Sequence, residues 1–83
     1  MIVYAVDDEE YIREILEINL KKFGDIRLST FNCATDLLEK IKDIKPDIII
    51  SDIIMPDIDG LELCRIIKTA PEYKNIYFIL LTA

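Results

Sequence analysis

Apolar residues fall into short unbroken runs that alternate with stretches of helical period. Ile2 to Val6, reading IVYAV, is rich in β-branched residues, the pattern of a strand buried on both faces. It ends in the acids Asp7, Asp8, Glu9 and Glu10. From Glu9 to Phe23, the residues Ile12, Ile15, Leu16, Leu20 and Phe23 share one side of a helix, and Gly24 is expected to stop it. Ile26 to Phe31 reads as a second strand. Asn32 is then a candidate N-cap for a helix with Ala34, Leu37, Leu38, Ile41 and Ile44 on one face, closed by Pro46. Asp47 to Ser51, reading DIIIS, is another doubly buried strand, and Asp52 stands immediately beyond it. After the turn-rich MPDIDG, Asp59 and Glu62 form a capping pair for a helix running to about Lys68, with Leu63, Cys64, Ile66 and Ile67 toward the core. Pro71 to Asn75 is an exit loop, and Ile76 to Ala83, IYFILLTA, is a fourth strand.

Strands alternating with helices predict a parallel sheet with helices on its faces, and right-handed crossovers place the first and third strands side by side with the second outside. The chain has 83 residues, 52% of them hydrophobic and 31% charged, which suits one globular domain with one core. A chain this short buries roughly 60% of its unfolded surface, so its stability is expected to be marginal. The net charge of −6 argues against a nucleic-acid surface, which needs clustered Lys and Arg. No apolar run is long enough to cross a bilayer of about 30 Å, and no basic leader precedes one, so neither a membrane span nor export is expected and the default location is cytoplasmic. Cys33 and Cys64 lack metal-ligand spacing and read as core thiols; with no histidine, histidine acid–base chemistry is excluded. The available chemistry belongs to carboxylates.

In open parallel sheets, ligands bind beyond the carboxyl ends of the strands. Asp7 and Asp8 follow the first strand and Asp52 the third, so the predicted topology brings these carboxylates to one rim. Two unit charges 4 Å apart repel by roughly 4 kcal/mol at an effective dielectric near 20, which a cation would offset. Mg²⁺ prefers such hard oxygen ligands, and an Asp beside it is a competent nucleophile toward phosphorus. Each acid also has a purely structural reading: Asp7 or Asp8 as a cap of the first helix, Asp52 as the opening of a turn.

With VDDEE after the first strand, D-x-x-M-P-x-x-D-G from Asp52 to Gly60 and LLTA closing the fourth, the chain resembles the receiver domain of two-component response regulators from Met1 to Ala83. The resemblance implies a flavodoxin-like doubly wound sheet of strand order 2-1-3-4 and a phosphorelay function without enzymatic turnover. It implies Asp52 as phosphoacceptor and Mg²⁺ held by Asp7, Asp8, Asp52 and the backbone carbonyl of Ile54. It further implies Thr82 as the switch hydroxyl, and Met55, Pro56 and Gly60 as residues that shape the loop. A sensor histidine kinase is the implied phosphodonor, read out by an output domain that this chain does not contain. The family's catalytic lysine after a fifth strand has no counterpart, since Lys68 and Lys74 lie on other segments; residues 1–83 read as a single, incomplete receiver lacking the fifth strand and last two helices.

That incompleteness makes IYFILLTA a long apolar edge, so either a homodimer through the fourth strand or a fragment of a longer protein is expected. Two other functions compete with the switch: a receiver-like interaction module that is never phosphorylated, and a haloacid dehalogenase-like phosphohydrolase, whose D-x-D nucleophile spacing VDDEE lacks. Ile18 and Leu61 fall outside their helix stripes and are candidate partner contacts.

Overall fold

β1 (Ile2–Val6) runs through the middle of the sheet, with β2 (Arg27–Phe31) on one side, β3 (Ile48–Asp52) on the other and β4 (Tyr77–Leu81) outside β3. The computed structural model describes residues 1–81. Every pairing is parallel and the order is β2-β1-β3-β4, the expected doubly wound arrangement. Because β1 is paired on both edges and covered on both faces, Val3, Tyr4, Ala5 and Val6 are each at most 2% exposed. That burial is why the run carries no charged residue and its one hydroxyl, on Tyr4, has a hydrogen-bond partner. β2 and β4 each begin one residue later than the apolar runs indicate, because the Ile26 and Ile76 amides close turns onto the carbonyls of Phe23 and Tyr73 at 3.1 and 3.0 Å.

Register decides the faces. Tyr4 lies beside Ile49, which lies beside Phe78, and Val6 lies beside Ser51, so alternate residues of these strands point to one side. There Tyr4, Val6 and Ile49 join Leu37 and Ile41 from the α2 region and Leu63 and Ile67 from α3 in one hydrophobic cluster. The helices α2 (Ala34–Lys40) and α3 (Gly60–Thr69) thus share a face, as right-handed connections from β2 to β3 and from β3 to β4 require. The opposite crossover, from β1 to β2, puts α1 (Glu10–Leu20) on the other face, where Thr30 of β2 donates to Glu17 at 3.1 Å.

α1 is the only helix on its face among the described residues, and none of its side chains is fully buried. Its expected stripe is therefore only half covered: Ile12, Leu16 and Leu20 are half-buried, whereas Ile15 is 49% exposed. Phe23, expected on that stripe, is 56% exposed because the helix ends at Leu20 and the Phe23 amide turns back to the Leu20 carbonyl at 3.1 Å. Gly24 does not adopt a left-handed conformation, so it is not the stop. α2 is likewise shorter than expected, and Cys33, not Asn32, occupies its N-cap position. Ile44 leaves the core and offers its carbonyl to the Tyr4 hydroxyl at 2.5 Å.

α3 keeps its predicted cap: the Asp59 carboxylate accepts from the Glu62 amide at 2.8 Å. The Glu62 side chain does not return the bond, pairing instead with Arg65 one turn on. Cys64 and Ile66 are half-buried, and both cysteines are free and half-buried, not core thiols. Lys68 reaches from the end of α3 to the carbonyls of Lys74 and Ile76 at 3.2 and 2.5 Å, which ties the helix to the start of β4. No helix among the described residues is long and apolar enough to cross a membrane.

The phenol of Tyr4 links the central strand to the end of the α2 segment, and its ring stands edge-on to Phe31 at 5.2 Å. Tyr4→Phe removes the donor and strands the Ile44 carbonyl. It is expected to lower the unfolding free energy by about 1 kcal/mol. In urea unfolding this reads as a lower midpoint at unchanged slope.

Candidate functional site

The β1–β3 register sets the site. Val6 lies beside Ser51, so one step further along both strands Asp7 comes beside Asp52, the last residue of β3. Sequence placed Asp52 just beyond that strand; the ladder to Leu81 of β4 includes it and holds its backbone. Asp7 is held as firmly. Its amide donates to the Phe31 carbonyl at 3.1 Å, which extends the β1–β2 ladder past the end of the strand. Its carboxylate accepts from the Glu9 amide at 2.9 Å. Glu9, at the N-cap position of α1, makes no side-chain cap bond, so Asp7 supplies part of the cap from two residues upstream. The structural reading of Asp7 is thus correct as far as it goes, and one accepted bond leaves a carboxylate ample acceptor capacity.

Asp7, Asp8 and Asp52 each offer one carboxylate oxygen, and these oxygens lie within 4.8 Å of one another. Asp8 is exposed, Asp52 half-buried and Asp7 only 5% exposed. Burial pushes the Asp7 carboxyl above its ordinary value, and the charges of Asp52, Asp8 and Glu9 push it further; the Glu9 amide opposes them. Two oxygens bound to one Mg²⁺ at about 2.1 Å stand no more than about 4.2 Å apart. Oxygens gathered this closely suit one hard divalent cation, with the hard-oxygen donor set that Mg²⁺ selects.

The loop after β3 supports Asp52 from behind. Ser51, buried inside an apolar strand, donates to the Asp52 carbonyl at 2.8 Å. The Gly60 amide donates to the Ile53 carbonyl at 2.7 Å, and a Cβ on Gly60 would fall 2.1 Å from the Asp52 carbonyl oxygen and 2.9 Å from the Ile53 Cα. Both contacts are backbone, so no side-chain rotation relieves them. Met55 is buried in the hydrophobic cluster and anchors the loop, Pro56 is exposed, and the Ile54 side chain is 77% exposed. Asp57 accepts from Thr35 of α2 at 2.8 Å, and that bond holds its carboxyl below the usual range. Thr82 lies outside the described residues.

Sequence reasoning missed Arg13, whose Nη1 donates to the Asp7 carbonyl at 2.6 Å, and it missed Ser51. The signal for Ser51 was a lone hydroxyl in an otherwise apolar strand. Arg13 carried none, because a charged residue on a surface helix is ordinary.

A sequence profile described as the response regulator receiver domain matches residues 3–83. The chain belongs to this family. A curated relative, the DNA-binding transcriptional regulator NtrC of Proteus hauseri, is 40% identical over 81 residues, covering 98% of this chain and 16% of that protein. Among solved structures, the N-terminal domain of a response regulator receiver protein from Methanoculleus marisnigri JR1 superposes with a TM-score of 0.90 at 32% identity, over 99% of this chain and 66% of that one. The signal receiver domain of a signal transduction histidine kinase from Syntrophus aciditrophicus gives 0.91 at 31%, over 98% of this chain and 61% of that one. The receiver described here thus spans just under two thirds of those solved chains and a small part of the curated relative. Receivers are phosphorelay signalling modules that work with histidine kinases and bind Mg²⁺ at an acidic pocket, and in this receiver Asp7, Asp8 and Asp52 form an acidic cluster.

Two outcomes test the geometry. Gly60→Ala is expected to destabilise the receiver by about 2 kcal/mol, seen in denaturant unfolding, because the added methyl meets backbone. The raised Asp7 carboxyl means that the folded chain holds this proton more tightly than the unfolded chain does. The associated stability is complete below the ordinary aspartate range and is lost as pH rises through the folded value. Metal-free Asp7→Asn is therefore expected to melt higher than wild type at pH 7, the difference closing as the pH falls below about 4, by thermal scans in a chelator.

Proposed function

We propose that this receiver accepts a phosphoryl group on Asp52 from the phosphohistidine of a sensor histidine kinase. Asp7, Asp8 and Asp52, with the backbone carbonyl of Ile54, would hold the Mg²⁺ that the transfer requires. The observation that carries the reading is the convergence of three carboxylates from two adjacent strand ends. When bound, Mg²⁺ offsets carboxylate charge and polarises phosphoryl oxygens. A carboxylate oxygen of Asp52 forms the new bond to phosphorus as the bond between phosphorus and the donor's imidazole nitrogen breaks, and the electron pair leaves with the imidazole. Ser51 and Gly60 keep the Asp52 backbone still, and the ladder to β4 presents its carboxylate at the rim.

The added charge then biases a two-state surface, with Thr82 as the switch hydroxyl. Reading of that surface by an output domain, a cytoplasmic location and the treatment of residues 1–83 as one receiver unit belong to the same proposal. Incubation with Mg²⁺ and a small-molecule phosphodonor is expected to add one phosphoryl mass to the wild type and none to Asp52→Asn, by intact mass spectrometry. Equal labelling of both proteins, or none in either, overturns the reading, and the absence of label leaves the interaction module in its place.

A further inference from the structure

The geometry points to Arg13 as a positioning residue that holds the Asp7–Asp8 turn in register for the metal. The inference rests on cation binding by Asp7, Asp8 and Asp52 as proposed above.

A metal site needs its ligands placed to within about half an ångström, and that placement comes from groups that bond the ligand residues without touching the ion. Asp7 and Asp8 sit on a three-residue turn between β1 and α1. The bond from the Asp7 amide to Phe31 fixes the strand side of this turn, and the bond from the Glu9 amide to the Asp7 carboxylate is internal to it. The helix side is fixed differently. α1 lies on the face opposite the hydrophobic cluster, packs there through side chains that are at most half-buried, Ile12, Leu16 and Leu20, and has no side-chain cap bond at Glu9. Among the described residues, two side-chain hydrogen bonds join it to the chain beyond its own cap residue: Thr30 to Glu17, and Arg13 to the Asp7 carbonyl at 2.6 Å. The first holds the far half of the helix to β2. The second spans six residues and ties the first turns of α1 directly to a ligand-bearing residue.

Arginine suits this place. Its guanidinium stays charged at every accessible pH and donates without accepting, so it is no ligand for a cation and cannot compete with one for the carboxylates by coordination. The contact is a single N–H to a carbonyl, so a lysine that reaches the same oxygen restores much of it.

Mn²⁺ serves as the probe, with the free ion measured by electron paramagnetic resonance at a temperature where circular dichroism shows each variant folded. Arg13→Met, which keeps the aliphatic stem, is expected to weaken Mn²⁺ binding about tenfold, and Arg13→Lys to recover most of the loss. If Arg13→Met does not fold, Arg13→Gln, which keeps polarity but is too short to reach the carbonyl, is read in its place. A variant that melts lower yet binds Mn²⁺ as the wild type does overturns the inference, since a merely structural role moves stability alone. Lysine as weak as methionine also overturns it. A wild type that binds no Mn²⁺ instead removes the reading of the acidic rim itself.

Discussion

Parallel pairing of β1 with both β2 and β3 is the constraint on which the rest of this molecule depends. The register that sets Val6 beside Ser51 puts Asp7 beside Asp52 one residue later, and the β2 ladder continues through the Asp7 amide to fix that step. A slip of one residue would turn Tyr4, Val6 and Ile49 away from α2 and α3 and part the acids at the same stroke. Core packing and site assembly are thus enforced by the same hydrogen bonds.

Burial first, and then the like charges of Asp52, Asp8 and Glu9, oppose ionisation of Asp7, the most buried of the three acids. Among the described residues no basic side chain pairs with these carboxylates, and the contacts made involve peptide groups. The Glu9 amide meets the Asp7 carboxylate, Arg13 meets its carbonyl, and Ser51 and Gly60 crowd the carbonyl of Asp52. The carboxylates stay open to a cation, while the peptide units of Asp7 and Asp52 are held. This division suits the proposed uptake of an ion and a phosphoryl group.

The two faces of the sheet are unequal. α2 and α3 close one face over a continuous apolar cluster, whereas among the described residues α1 is the only helix on the other and leaves Ile15 and Ile18 to solvent. Leu61 on α3 is exposed as well, as its place off the helix stripe indicated. Besides the half-buried Ile12, Leu16 and Leu20, the hydrogen bonds of Arg13 and Glu17 hold α1, which gives these two a weight that a charged residue on a surface helix ordinarily lacks.

By itself the amino-acid sequence determined the alternation of strands and helices, the strand order, the Asp59 cap and the meeting of Asp7, Asp8 and Asp52. Apolar period, cap chemistry and crossover handedness are local or topological rules, and they operate without knowledge of distances. Only the tertiary structure decided that α1 stops at Leu20 with Phe23 in water, that Ile44 surrenders its core place to serve the Tyr4 hydroxyl, and that the cysteines are half-buried. It alone showed Arg13 on the Asp7 carbonyl and the missing Cβ of Gly60 against Asp52. These features depend on which surfaces meet across the fold and on how much of each helix the sheet can cover, and a pattern along the chain carries no record of either.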